Sequence, residues 1–226
     1  MWREVAELSG LGMVVPDLPG HGSAWPGPAR WADAVGAVTP LLGPRPTVLM
    51  GYSQGGRVAL GAALATPGSV RHLVLISARP GLADAADRRA RYQADEELAA
   101  QIEAGGVAAF VDAWLGRRMF AGLSERPSGW RGQDRKMRLV NTAEGLAAAL
   151  RGYGLGAMPY LGDRLTELAM PVTLVAGEAD GPLVESAHQW AERIPQATLR
   201  VAPGVGHSVV GEAPQWVAEL VAELVG

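Results

Sequence analysis

The stretch Thr47-Val48-Leu49-Met50-Gly51-Tyr52-Ser53-Gln54-Gly55-Gly56-Arg57 constrains this chain more than any other. A short apolar run ends in Gly-x-Ser-x-Gly, and a helix-forming segment from Val58 to Ala65 follows at once. That order predicts a strand, a sharp turn and a helix, with the Ser53 hydroxyl lifted clear of a parallel sheet. Gly51 and Gly55 are both expected to be required, because the turn is too tight for side chains there. Such a motif can arise by chance among 30 glycines. A strand and a helix on the correct sides argue against chance.

The same alternation runs through most of the chain. Trp2 to Leu8 reads as a short helix, Gly12 to Pro16 as a buried strand, and Pro28 to Leu42 as a helix presenting Trp31, Val35, Val38 and Leu42. After the elbow comes a strand at His72 to Ile76. Strand signals then stop from about Asp84 to Leu161, where helices are expected at Ala85 to Glu103, Val107 to Trp114 and Ala143 to Arg151. The alternation resumes with a strand at Pro171 to Ala176, a helix at Leu183 to Arg193, a strand at Thr198 to Val201 and a helix at Pro214 to Leu224. This pattern predicts an α/β fold with a mostly parallel, doubly wound sheet. At 226 residues and 48% hydrophobic, the chain suits a single domain. Residues 1–83 and 162–226 would form the sheet core, and 84–161 a helical lid over the strand ends.

Composition removes several classes of function. A net charge of −3 with no basic block gives no field for nucleic acid. With no cysteine there is no thiol nucleophile and no thiolate metal site. His21, His72, His188 and His207 stand far apart, so no metal site is expected. No apolar run reads as a membrane span, and Met1 to Glu7 reads as an amphipathic helix start, not a signal peptide. The expectation is a cytoplasmic protein with no membrane insertion and no cofactor.

A serine hydroxyl becomes a useful nucleophile or base when an imidazole takes its proton and a carboxylate fixes that imidazole. The chain supplies both, in the order Ser, acid, His and each one loop beyond a strand. Asp180 lies in Gly177-Glu178-Ala179-Asp180-Gly181 and His207 in Pro203-Gly204-Val205-Gly206-His207-Ser208. Glu178 is the alternative acid. His207 could instead be a structural loop residue. His21, after the first strand, could line the site or be a turn residue bonded to backbone. His72 and His188 read as packing or surface residues.

These segments, with Asp17-Leu18-Pro19-Gly20-His21-Gly22, resemble the α/β-hydrolase superfamily. Arg57 after the paired glycines is more discriminating. So are Arg88-Arg89-Ala90-Arg91-Tyr92-Gln93-Ala94-Asp95, Trp114, Arg138-Leu139-Val140-Asn141 and Leu150-Arg151-Gly152-Tyr153-Gly154-Leu155-Gly156. Within the superfamily they resemble the 2-succinyl-6-hydroxy-2,4-cyclohexadiene-1-carboxylate synthases. The resemblance implies a lyase that removes a ring proton from a cyclohexene dicarboxylate and expels pyruvate, as a step of menaquinone biosynthesis. It implies Ser53, His207 and Asp180 as the acid–base relay and the Gln54 N–H as an oxyanion donor. Arg57, Arg91 and Arg138, lined by Tyr52 and Trp114, would bind the polycarboxylate substrate. Met158 and Arg118 depart from the family pattern, which usually has glutamine and proline there.

In the resembled fold a strand and a His-Gly loop precede the helix that opens here at Trp2, and that strand lies between Gly12–Pro16 and the elbow strand. The expectation is therefore a sheet lacking its N-terminal strands, in a fragment or mis-started form of a longer enzyme rather than a true short form. Two competing functions remain at this point: a carboxylesterase using the same triad, and a non-catalytic remnant binding a dicarboxylate or a partner.

Overall fold

The computed structural model describes residues 1–22, 27 and 29–225. Helix α1 (Trp2–Ser9) and helix α2 (Trp31–Val38) precede strand β1 (Thr47–Tyr52). The elbow helix α3 (Gln54–Ala65) and strand β2 (Val70–Ile76) follow. Three helices come next in the chain: α4 (Ala85–Leu115), α5 (Ser128–Arg138) and α6 (Ala143–Tyr153). The chain then completes β3 (Val172–Gly177), α7 (Gly181–Ala191), β4 (Ala197–Ala202), the single turn α8 (Val209–Glu212) and α9 (Pro214–Val225).

The described strands form one sheet in the order β1-β2-β3-β4, with every pairing parallel. Successive side chains on a strand point to opposite faces, and β2 shows what that does. Leu73 and Leu75 pack with Ala59, Leu60 and Ala63 of α3 and with Ala187 of α7. Val74 and Ile76 pack on the opposite face with Val5 of α1 and with Val217, Leu220 and Val221 of α9. Both faces of the central strands β2 and β3 are therefore largely buried, which is why those two read as continuous apolar runs. A third cluster joins α2, α3 and α6 through Val38, Val58, Ala62 and Tyr153.

Two expectations need correction, the strand at Gly12–Pro16 and the absence of a helix over α5. Gly12 to Pro16 forms no strand, and Val14 is 80% exposed and Val15 53%. A strand exists only through its hydrogen-bonded neighbour, and among the described residues β1 pairs with β2 alone. The two helices expected at 85–103 and 107–114 are both present and run together as α4 across a kink at Gly106, whose backbone is not helical (φ 78°, ψ 168°). That conformation lies in the region glycine favours and lets the chain continue past the bend. Because the two stretches join, α4 is long and apolar enough by length and composition to cross a membrane. Its Glu103 and Asp112, however, are ion-paired to Arg151 of α6 and Arg135 of α5. Finally, α5 carries no apolar stripe and went unread. It is a polar helix whose last turn holds Arg135, Lys136 and Arg138, where cations favour the negative helix end. Of the helix expected over 28–42, Trp31–Val38 is α-helical and Thr39–Leu41 continues as a 3₁₀ turn, and its expected start at Pro28 lies outside the described residues.

Candidate functional site

The elbow is built as its sequence demands, with one exception among the glycines. Ser53 sits at φ 50° and ψ −114°, a strained backbone that L-residues rarely adopt. It is held by its N–H donating to the Ile76 carbonyl at 2.8 Å. A Cβ at Gly51 would strike the Gly55 carbonyl, so that glycine is required. A Cβ at Gly55 would meet nothing within 4 Å, against expectation. The crowded position is Gly56, where a Cβ would come 2.5 Å from the Ala78 Cβ and 2.9 Å from the Gly51 carbonyl oxygen. The third position packs the helix onto the strand, and the second only turns the chain.

Ser53, His207 and Asp180 come together from three loops. Ser53 Oγ lies 3.1 Å from His207 Nε2, and His207 Nδ1 lies 2.8 Å from Asp180 Oδ2. Gly177 makes this possible, because a Cβ there would collide with the carbonyls of Val205 and Gly206 in the histidine loop. Glu178 is turned away: it accepts from the Gly204 N–H at 2.8 Å and braces the loop. Glu212, which the sequence did not single out, grips the same loop. It accepts from the Gly206 N–H at 2.8 Å and the Ser208 N–H at 3.1 Å. The His207 ring packs against Tyr52 and Phe120, with centroids at 5.8 and 6.2 Å. Burial raises the Tyr52 phenol to about 12.

A cavity of about 870 Å³ opens beside these three side chains. Ser53, Gln54, Tyr52, Trp114, Arg138 and His21 all line it, and it continues along β1 to Val14 and Val15. Gln54 begins α3, so its backbone N–H is among the unpaired donors of a helix start. Trp114 stacks between Phe110 and Phe120, at 5.4 and 5.8 Å, with the Arg117 guanidinium over its ring at 4.2 Å. Asn141 ties the inserted helices to the 17–22 loop, accepting from the Gly22 N–H at 2.9 Å. Both readings of His21 hold together: it lines the cavity, and its Nδ1 lies 3.0 Å from the Tyr153 hydroxyl and 3.3 Å from the Pro19 carbonyl. Burial lowers its pKa. His72 bonds to Thr173 across the sheet at 2.8 Å, and His188 is exposed on α7.

Arg57 and Arg91 stand apart from that cavity lining and form a second group. Arg57 lies one turn after Ser53, with its Nε sealed from solvent and lacking a hydrogen-bond partner among the described residues. Burial, then repulsion from Arg91, lowers its pKa to about 10, and Asp95 pulls the other way. Arg91 donates through Nε to Asp95 at 2.8 Å. Arg138 donates through Nε to Asp134 at 2.8 Å, and its Nη2 is buried without a partner among the described residues. Met158 is a core residue, and Arg118 is exposed in the 3₁₀ segment Arg118–Glu125. Among the described residues no group of three or more His, Asp or Glu side chains could hold a metal ion.

Comparison with known proteins matches residues 1–220 to the alpha/beta hydrolase family. The putative 2-succinyl-6-hydroxy-2,4-cyclohexadiene-1-carboxylate synthase of Bacillus subtilis is 35% identical over 175 residues, which are 77% of this chain and 64% of that relative. The synthase of that name from Salmonella paratyphi C is 30% identical over 228 residues, covering 99% of this chain and 87% of the relative. Among solved structures, MenH from S. aureus superposes with a TM-score of 0.87 at 30% identity, over 92% of this chain and 81% of that one. A thermophilic esterase from Thermogutta terrifontis, with malate bound, gives 0.82 at 25% identity, over 99% and 84%.

Proposed function

The chain belongs to the alpha/beta hydrolase family and, within it, to the family of the 2-succinyl-6-hydroxy-2,4-cyclohexadiene-1-carboxylate synthases, and from that premise we propose that it is a carbon–oxygen lyase. It eliminates pyruvate from 2-succinyl-5-enolpyruvyl-6-hydroxy-3-cyclohexene-1-carboxylate to leave the cyclohexadiene, a step towards menaquinone. The observation that carries this reading is the Ser53–His207–Asp180 hydrogen-bond chain beside a cavity that also holds Arg138. A hydrolase needs the first of these features. A polycarboxylate substrate needs the second.

In this mechanism the Ser53 oxygen removes a ring proton while its own proton passes to His207 Nε2. The electron pair forms the new ring double bond and breaks the ether C–O bond, releasing the enolate of pyruvate. The proton on His207 returns to the product side, and Asp180 keeps the imidazole oriented throughout. The Gln54 N–H at the head of α3 faces developing negative charge where the helix end favours it. Arg138 takes a substrate carboxylate, since a guanidinium fork matches carboxylate geometry. Trp114 and Tyr52 line the ring, and Arg57 with Arg91 supplies further positive charge. The inserted helices serve as the lid.

The test is pyruvate release from the enolpyruvyl substrate, coupled to NADH oxidation by lactate dehydrogenase. Release that disappears in Ser53→Ala and weakens in Arg138→Ala supports the lyase. The likeness to the malate-bound esterase favours a second reading, carboxylesterase activity through an acylated Ser53. Ester hydrolysis with no pyruvate release, indifferent to Arg138→Ala, would overturn the lyase in its favour.

A further inference from the structure

Resting on the lyase reading, we propose that Asp134 and Asp95 are positioning residues. Each holds by Nε an arginine of the proposed substrate-binding set, and among the described residues neither arginine has a hydrogen-bond partner at its Nη nitrogens, which are left for a substrate carboxylate. Asp134 accepts from Arg138 Nε and Asp95 from Arg91 Nε, both at 2.8 Å. The two acid side chains are 8% and 3% exposed, although surface helices usually leave a carboxylate in water. Asp95 is fixed further by the Gly156 N–H at 3.2 Å, which ties α4 to the segment after α6.

The other ion pairs on the inserted helices are built differently. Arg135 closes its fork on Asp112 through Nε and Nη2. Arg151 commits Nε to Glu96 and both Nη nitrogens to Glu103. Arg151 thus has every guanidinium nitrogen engaged, and Arg135 has one Nη as well as Nε closed on its carboxylate in a bidentate fork. Arg138 is incomplete in a telling place: it lines the cavity that Ser53 lines, and its Nη2 is buried and unpartnered among the described residues. A buried donor without an acceptor is costly, and an arriving carboxylate removes that cost. The acids also let cations gather, because Asp95 attracts Arg57 while Arg91 repels it. Either acid lies one turn from its arginine, at i,i+4 spacing, so the helix itself sets the geometry.

The experiment compares Asp134→Ala, Asp95→Ala and Asp134→Asn with wild type, reading KM and kcat for pyruvate release and Kd for malate. Asp134→Ala should raise KM and Kd on the order of tenfold, with kcat changed far less. Asp134→Asn, which keeps an acceptor for Nε, should recover most of that loss. In an Arg138→Met background, Asp134→Ala should add nothing. Unchanged KM and Kd, or an equal increase in the Arg138→Met background, would show a purely structural acid and overturn the proposal. Wild type that binds malate but releases no pyruvate would sink the reaction alone, and the malate affinities of the variants would still decide the positioning role. Wild type that does neither would sink both.

Discussion

Replacing Arg57 by methionine should make the protein more stable while removing its function. The Arg57 guanidinium is lowered from the ordinary arginine value to about 10, first by burial and then by Arg91, with Arg79 adding repulsion and Asp95 opposing it. At about 1.4 kcal/mol for each tenfold change in proton affinity, holding that charge costs the fold up to about 3 kcal/mol. Methionine keeps the unbranched stem and drops the charge and the orphaned Nε. A gain of about 2 kcal/mol would raise the melting midpoint by roughly 4–8 °C for a chain of this length. The group is a base whose folded pKa lies below its unfolded value. Its cost is therefore present in full below about pH 10 and fades as the pH climbs from there towards the ordinary arginine value. Urea unfolding from pH 7 to 11 checks this. The variant's advantage should be constant to about pH 10 and shrink above it, while pyruvate release is lost throughout. A variant less stable than wild type at pH 7, or an advantage that ignores pH, would refute the reasoning.

The glycine pair in the elbow gives a sharper structural test. Gly56→Ala should cost about 1–3 kcal/mol in urea unfolding, through its overlap with Ala78 and Gly51, whereas Gly55→Ala should be neutral or slightly stabilising in a helix start. Ser53→Gly should stabilise the fold by about 1 kcal/mol by relieving a positive φ, measured by calorimetry, and should abolish pyruvate release. Asp180→Asn should lower kcat by about 10⁴ with KM nearly unchanged, because the amide favours the wrong histidine tautomer. Stopped assays at high enzyme concentration can read the residual rate.

Much of the fold was legible because parallel strands buried on both faces are written as continuous apolar runs. The expected His72–Ile76 and Pro171–Ala176 strands are β2 and β3 within a residue or two at each end. Helix α5 was illegible because its eleven residues bury no apolar side chain, and polar contacts such as Arg135 to Asp112 and the Trp130 indole N–H to Glu4 attach it. Glu212 gave no signal either, since its role is to accept two N–H groups of a loop whose path depends on β4 and α8.

The sequence by itself determined the elbow, the order Ser53, Asp180, His207, and the parallel α/β architecture. Those depend on local backbone geometry and on periodicity, which residue order alone encodes. Tertiary structure decided the rest. It made Gly56 the crowded glycine, left Gly12–Pro16 without a ladder, and turned Glu178 towards Gly204 while Asp180 met His207. It also parted Arg138 from Arg57 and Arg91, and set which arginine nitrogens stay free. Each of these is a matter of which atoms from distant segments share a few ångströms, and no spacing along the chain records that.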